Sequence, residues 1–158
     1  MYGIINIHST KKNLLKALQE KIQNDYITYW IDAKHKNNSK LSFYSKVNLS
    51  NKYELKFYLK TIKNQNFKKA ITNLRISTHN LKVETGRHKN IPKEERICEI
   101  CNKVEDEVHF LDECIKYTTK RHILLKEFHL NKLSESFEVE NKDFQNHLGK
   151  FIYECLAT

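Results

Sequence analysis

Three cysteines and one histidine are the residues of this sequence best placed to do chemistry. Cys98 and Cys101 are followed by His109 and Cys114 in a Cys-x2-Cys-x7-His-x4-Cys array. Two thiolates at x2 spacing can grip one tetrahedral ion from a tight knuckle, with Zn–S bonds of about 2.3 Å. His109 and Cys114, five apart across a short helix or turn, can close the tetrahedron. Three thiolates and one imidazole form a closed structural set, with no open position for a reactive water. Zinc is the default metal, since iron–sulfur clusters ordinarily take all-cysteine ligation. The alternatives are buried free thiols, a disulfide formed in an oxidising compartment, or a thioredoxin-like pair, whose βαβ setting the sequence does not display. The spacing predicts one tightly held structural zinc per chain.

The charge of the array decides what it touches. From Cys98 to Cys114 there are six acids (Glu99, Glu105, Asp106, Glu107, Asp112, Glu113) and one base, Lys103. Phosphate contacts draw on Lys, Arg or helix N-termini, so this module is expected to staple the surrounding chain, with Val108, Phe110 and Leu111 as its core contacts. The consecutive Glu105-Asp106-Glu107 side chains diverge, and they are expected to cap a helix start and orient His109. The remaining Cys155 shares one helical face with Phe144, Leu148, Phe151 and Ile152, which suits a small buried hydrophobe.

The elements around the array read as mainly α: a helical domain with a small irregular zinc knuckle and little or no strand. Only three Gly and one Pro occur in 158 residues, too few turn residues for a many-stranded sheet. Eight Tyr, eight Phe and one Trp supply a core although 30% of residues are charged. A first helix is expected from Thr10 to Ala33, capped by Ser9 or Thr10, with Leu14, Leu15, Leu18, Ile22, Tyr26 and Tyr29 as its apolar stripe. Further helices are expected over 52–63 (with Tyr53, Phe57, Tyr58 and Ile62), 66–78 (Phe67, Ala70, Ile71 and Leu74 facing one way), 115–128 and 143–157. Asn37-Asn38-Ser39 reads as a loop, and the alternation of Leu41, Phe43 and Val47 allows a short strand. Glu84-Thr85-Gly86-Arg87 reads as a loop in which Gly86 takes positive φ or admits another backbone. Ile91-Pro92 reads as an extended turn. The organisation is a basic helical region (1–90), a zinc module with its following helix (91–130), and a connector with an amphipathic helix (131–158), the three forming one compact unit.

A net charge of +9 hides an asymmetry: residues 1–90 hold 18 Lys and Arg against 5 Asp and Glu, residues 91–158 hold 10 against 14. A basic pole of this size attracts polyanions, and a nucleic acid, RNA or DNA, is the leading partner. The competing reading is a solvated Lys/Asn-rich surface. Lys68, Thr72, Arg75 and His79, at i, i+4, i+7 and i+11, would form one polar line able to meet successive phosphates, with Arg87 and Arg96 beyond it. No apolar run approaches the roughly 18 residues of a membrane span, and no signal-peptide core is present. The expected setting is therefore intracellular, nucleus or cytoplasm, without a membrane partner and not secreted. There is no Gly-rich phosphate loop, His-Glu-x-x-His pair or Gly-x-Ser-x-Gly elbow. Asp25 and Asp32 stand seven apart among bulky residues, so the chain is expected to be non-catalytic.

Read together, Leu74-Arg75-Ile76-Ser77, His79, Leu81, Glu84, Gly86-Arg87, Ile91-Pro92, Glu95-Arg96, Cys98, Cys101, Val104-Glu105-Asp106-Glu107, His109-Phe110, Cys114, Tyr117 and Arg121 form a recognisable block. It resembles the C-terminal zinc-binding (CCHC) region of reverse transcriptases encoded by non-LTR (LINE, jockey-like) retrotransposons. The likeness is dense from Leu74 to Arg121, looser from Tyr29 to Thr72, and missing from the last thirty residues. It implies that Cys98, Cys101, His109 and Cys114 bind the metal. It further implies that the region helps an RNA-directed DNA polymerase hold template RNA or target DNA during target-primed reverse transcription. Arg75, His79, Arg87 and Arg96 match positions of the family pattern; a nucleic-acid role for them rests on charge and placement. The polymerase's paired aspartates, its fingers and palm, and any endonuclease are missing, so the chain resembles a detached tail. The expectation is a non-catalytic zinc-stabilised nucleic-acid-binding module. The alternative is a structural or protein-interaction module that docks a partner such as the polymerase body.

Overall fold

The computed structural model describes residues 7–35, 40–48 and 54–156, with side chains described from 11 to 33 in the first stretch. The loop expected at Asn37-Asn38-Ser39, the proposed Ser9 or Thr10 side-chain cap, Tyr53 and Ala157 lie outside those descriptions. Helix α1 spans Ile7–His35, so it begins before Ser9 and Thr10. Then come α2 (Ser42–Val47), α3 (Phe57–Thr61), α4 (Gln65–Arg75), α5 (Lys82–His88), α6 (Thr118–Glu127) and α7 (Lys142–Leu156). Short 3-10 turns cover Lys93–Glu95 and Ile115–Tyr117, and one π turn covers His109–Glu113. Among the described residues the β structure is a single antiparallel bridge, Ile97 to Val104, and the protein is mainly helical as its sequence predicts.

Helices α4 and α7 form the spine. Each starts at an asparagine that caps it: Asn64 Oδ1 accepts from the amides of Asn66 (2.9 Å) and Phe67 (3.3 Å), Asn141 Oδ1 from those of Asp143 (2.9 Å) and Phe144 (3.0 Å). Their apolar faces follow the helical period expected of them. Ile71 and Leu74 on α4 meet Phe144, Leu148, Phe151, Ile152 and Cys155 on α7, all buried. Gly149 sets the spacing: a Cβ there would stand 2.8 Å from Phe67 Cβ and 3.1 Å from Phe67 O. One buried cluster runs from Phe43 and Val47 through Cys98 and Phe110 to Phe151 and Cys155, drawing on all three regions of the chain.

Two local expectations are corrected. The segment around Phe43 is a helix, not a strand, because Phe43 and Val47, four apart, both face the core at 2% exposure. The segment Glu84–Arg87 is helical, not a loop. Its first turn is completed from afar: Glu105 Oε2 accepts from the Lys82 amide (3.1 Å) and Glu105 O from the Val83 amide (3.0 Å). Gly86 has no positive φ. It makes room for a side chain instead, since an added Cβ would lie 2.7 Å from Arg96 Cγ. Helix α1 carries its expected apolar stripe, Leu14, Leu15, Leu18, Ile22, Tyr26 and Tyr29, but at 37–65% exposure the stripe stays outside the core.

Candidate metal centre

The knuckle is built by a tight return of the chain. The Cys98 amide donates to Lys103 O (2.8 Å), and the Asn102 amide to Cys98 O (2.9 Å). Asn102 takes the left-handed conformation the turn requires, φ 53°, which asparagine tolerates better than most residues. The Ile97–Val104 bridge closes the base of the loop. The other pair sits on the π turn, closed by the Cys114 amide on His109 O at 2.7 Å. In an α-helix, residues five apart point about 140° away from each other; a wider π turn reduces that divergence. It lets His109 and Cys114 serve one centre.

The four ligand atoms all lie within 4.8 Å of one another. Cys98 Sγ and Cys101 Sγ stand 3.9 and 3.8 Å from Cys114 Sγ, and all are free thiols. A disulfide would need about 2.05 Å between sulfurs. A tetrahedron with bonds of about 2.3 Å has an S···S edge of about 3.8 Å, which is the spacing found. His109 is 3% exposed, yet neither ring nitrogen has a hydrogen-bond partner. A buried imidazole with no partner is costly unless a further group satisfies it, and a metal ion is the group that three surrounding thiolates would bring. The residues fit one structural ion.

Electrostatics among the protein groups alone favour one thiolate first. Burial pushes the Cys98 thiol up, but the amides of Cys101 and Ile100 and the His109 ring outweigh it, and the group falls to about 7. Burial raises Cys114 to about 12, with the neighbouring Cys101 and Cys98 sulfurs adding to the effect. A bound divalent cation would stabilise all three thiolates together.

The acidic triplet divides its labour differently from the expectation. Asp106 Oδ1 accepts from the His109 amide (2.8 Å) and caps the turn. Glu107 does not orient His109. It is buried and accepts from Ser77 Oγ (2.6 Å) and the His79 ring (3.0 Å), bonds that hold its carboxyl below its ordinary value against the upward push of burial. Because the Leu81 amide donates to His79 Nδ1, the His79 Nε2–H is the donor to Glu107. The carboxylate nearest the candidate ligand His109 is Glu113, 3.6 Å from its Nδ1. Arg121, which ligand spacing does not single out, donates from Nη2 to Cys114 O (3.1 Å) and Thr118 Oγ1 (3.2 Å), tying the last ligand to α6. Phe110 and Leu111 are fully buried and Val108 packs beside them, as the stapling role requires.

The expected line Lys68, Thr72, Arg75, His79 is not formed. Helix α4 ends at Arg75 and Ser77 takes φ 51°, so His79 leaves the helical register. Arg75 is 2% exposed; it donates to Glu138 Oε1 (2.7 Å) and lies 5.6–5.8 Å from the ring centres of Tyr44, Tyr58 and Phe137. Arg96 spends Nε and Nη2 on Ile91 O (2.9 and 2.6 Å) and Nη1 on Val83 O (2.8 Å). Arg87 pairs with buried Glu84 (2.6 Å), which also holds Lys40 (2.9 Å). Of the five basic candidates, Lys68 alone is part-exposed with neither an ion pair nor a side-chain hydrogen bond among the described residues, and exposed Lys60, Lys63 and Lys69 lie close to it in the chain. No described helix is long and apolar enough to cross a membrane. No family model, curated protein or solved structure matches this chain.

Proposed function

We propose that this chain is a non-catalytic, zinc-stabilised module that binds nucleic acid through its basic half, in keeping with the reverse-transcriptase tail that its sequence resembles. The observation that carries this reading is the Cys98–Cys101–His109–Cys114 cluster, whose sulfur spacing suits zinc, set into a core shared with the basic helices. Zinc would stiffen the knuckle and, through Arg121 and the Glu107–Ser77–His79 bonds, fix α4, α5 and α6 around it. Glu113, on the Nδ1 side of His109, leaves Nε2 as the ligand atom, a carboxylate–histidine–metal arrangement. Phosphates would meet Lys60, Lys63, Lys68 and Lys69 as point charges, giving salt-sensitive binding with little sequence preference.

Two measurements test it. Protein purified without chelator should carry close to one zinc per chain, and removing the metal should lower its helicity and melting temperature; full retention of both sinks the zinc half. Binding to RNA and DNA at two salt concentrations tests the other half. Changing the four lysines together to Ala should cut the salt slope by up to about 0.9 for each phosphate they had neutralised. No binding at low salt would favour the docking of a protein partner by the acidic metal face instead.

A further inference from the structure

Helix α1 carries the largest unexplained feature of the molecule. Leu14, Leu15, Leu18, Ile22 and Tyr29 are 62, 53, 48, 59 and 65% exposed. At 100° per residue they fall within one arc of about 100°. The helix is held to the body near its C-terminal end, where Trp30 meets Tyr44 at 5.3 Å between ring centres. Long helices owe most of their stability to a covered apolar face, so this stripe calls for an occupant.

We propose that the occupant is α1 of a second copy, packed antiparallel. The charges along the helix are self-complementary in that direction alone. Lys11, Lys12, Lys16 and Lys21 outweigh Glu20 in the N-terminal half, whereas Asp25 and Asp32 outweigh Lys34 in the C-terminal half. A parallel pair would set the lysines beside their own copies. An antiparallel pair centred near Ile22 places Ile22 on the two-fold axis and Leu15 opposite Tyr29 of the second copy. Lys21 and Asp25 share the same edge of the stripe, so each Lys21 then meets an Asp25 of the other chain, twice by symmetry. Lys11, at the same angular position as Tyr29 within the stripe, comes within side-chain reach of Asp32 of the other chain. The interface uses neither the metal ligands nor the lysines assigned to phosphate, so it stands or falls independently of the proposed function.

Sedimentation of the full zinc-loaded chain over a range of micromolar concentrations tests this pairing. The expected mass is twice the 18.9 kDa of one chain. Leu15→Glu with Ile22→Glu should give a monomer that keeps its zinc and its melting transition, because neither side chain belongs to the core. As a second arm, Lys21→Glu or Asp25→Lys alone turns two attractions into two repulsions and should weaken pairing about tenfold; the double swap should restore it. A wild-type monomer at every concentration overturns the proposal and assigns the stripe to a different protein. A dimer indifferent to the Leu15/Ile22 change, or to the single swaps, overturns it equally.

Discussion

A guanidinium ringed by three aromatic faces and paired with Glu138 has no free side to offer a phosphate. Arg75 is a structural cation, and truncating it to Ala should cost about 2–4 kcal/mol, since Glu138 keeps its second partner, Lys56, and is partly exposed. Urea denaturation would read this, and it should leave the salt slope of nucleic-acid binding unmoved. Glu107 is a sharper case. Glu107→Ala strands the Ser77 hydroxyl and the His79 ring N–H in the interior, at about 2–3 kcal/mol, while Glu107→Gln keeps an acceptor oxygen and should cost clearly less. The four clustered candidate ligands were legible because their chemistry is encoded in short spacings. Arg75 was not: its partner lies 63 residues away, and nothing local distinguishes a buried arginine from one on a solvated face.

At the scale of elements, α4 and α7 were legible because each places its large apolar residues three or four apart. Helix α5 was hidden by Gly86 and by its borrowed first turn, which Glu105 completes from across the knuckle. The short α2 was hidden by a pattern compatible with either period. The glycines yield a test whose sign is informative. In an exposed helix Gly→Ala stabilises by about 0.5–1 kcal/mol. At Gly149 the added methyl meets the Phe67 backbone, so Gly149→Ala should destabilise by about 1–3 kcal/mol, measurable as a lowered melting temperature. Gly86→Ala should act likewise, because Arg96 is held by three hydrogen bonds and has little room to retreat.

At the scale of the whole molecule, one hydrophobic cluster spans the basic and acidic halves, so loss of metal should be felt far from the knuckle. Chelation should expose α5, whose first turn depends on Glu105, and should loosen Arg121 from Cys114. Hydrogen exchange would show protection falling first in residues 82–124, with α4 and α7 holding longest because their packing does not involve the ligands. The charge asymmetry was plain from composition; which lysines remain available became visible only when the ion pairs were assigned.

Cys155 gives these layers a chemical clock. It is buried against the spine, and burial raises its thiol above the ordinary value, whereas the other three sulfurs belong to the candidate metal centre. A maleimide dye should therefore count the steps of dismantling: no fast label on the loaded fold, three once the ion is stripped, and the fourth only when denaturant parts α4 from α7.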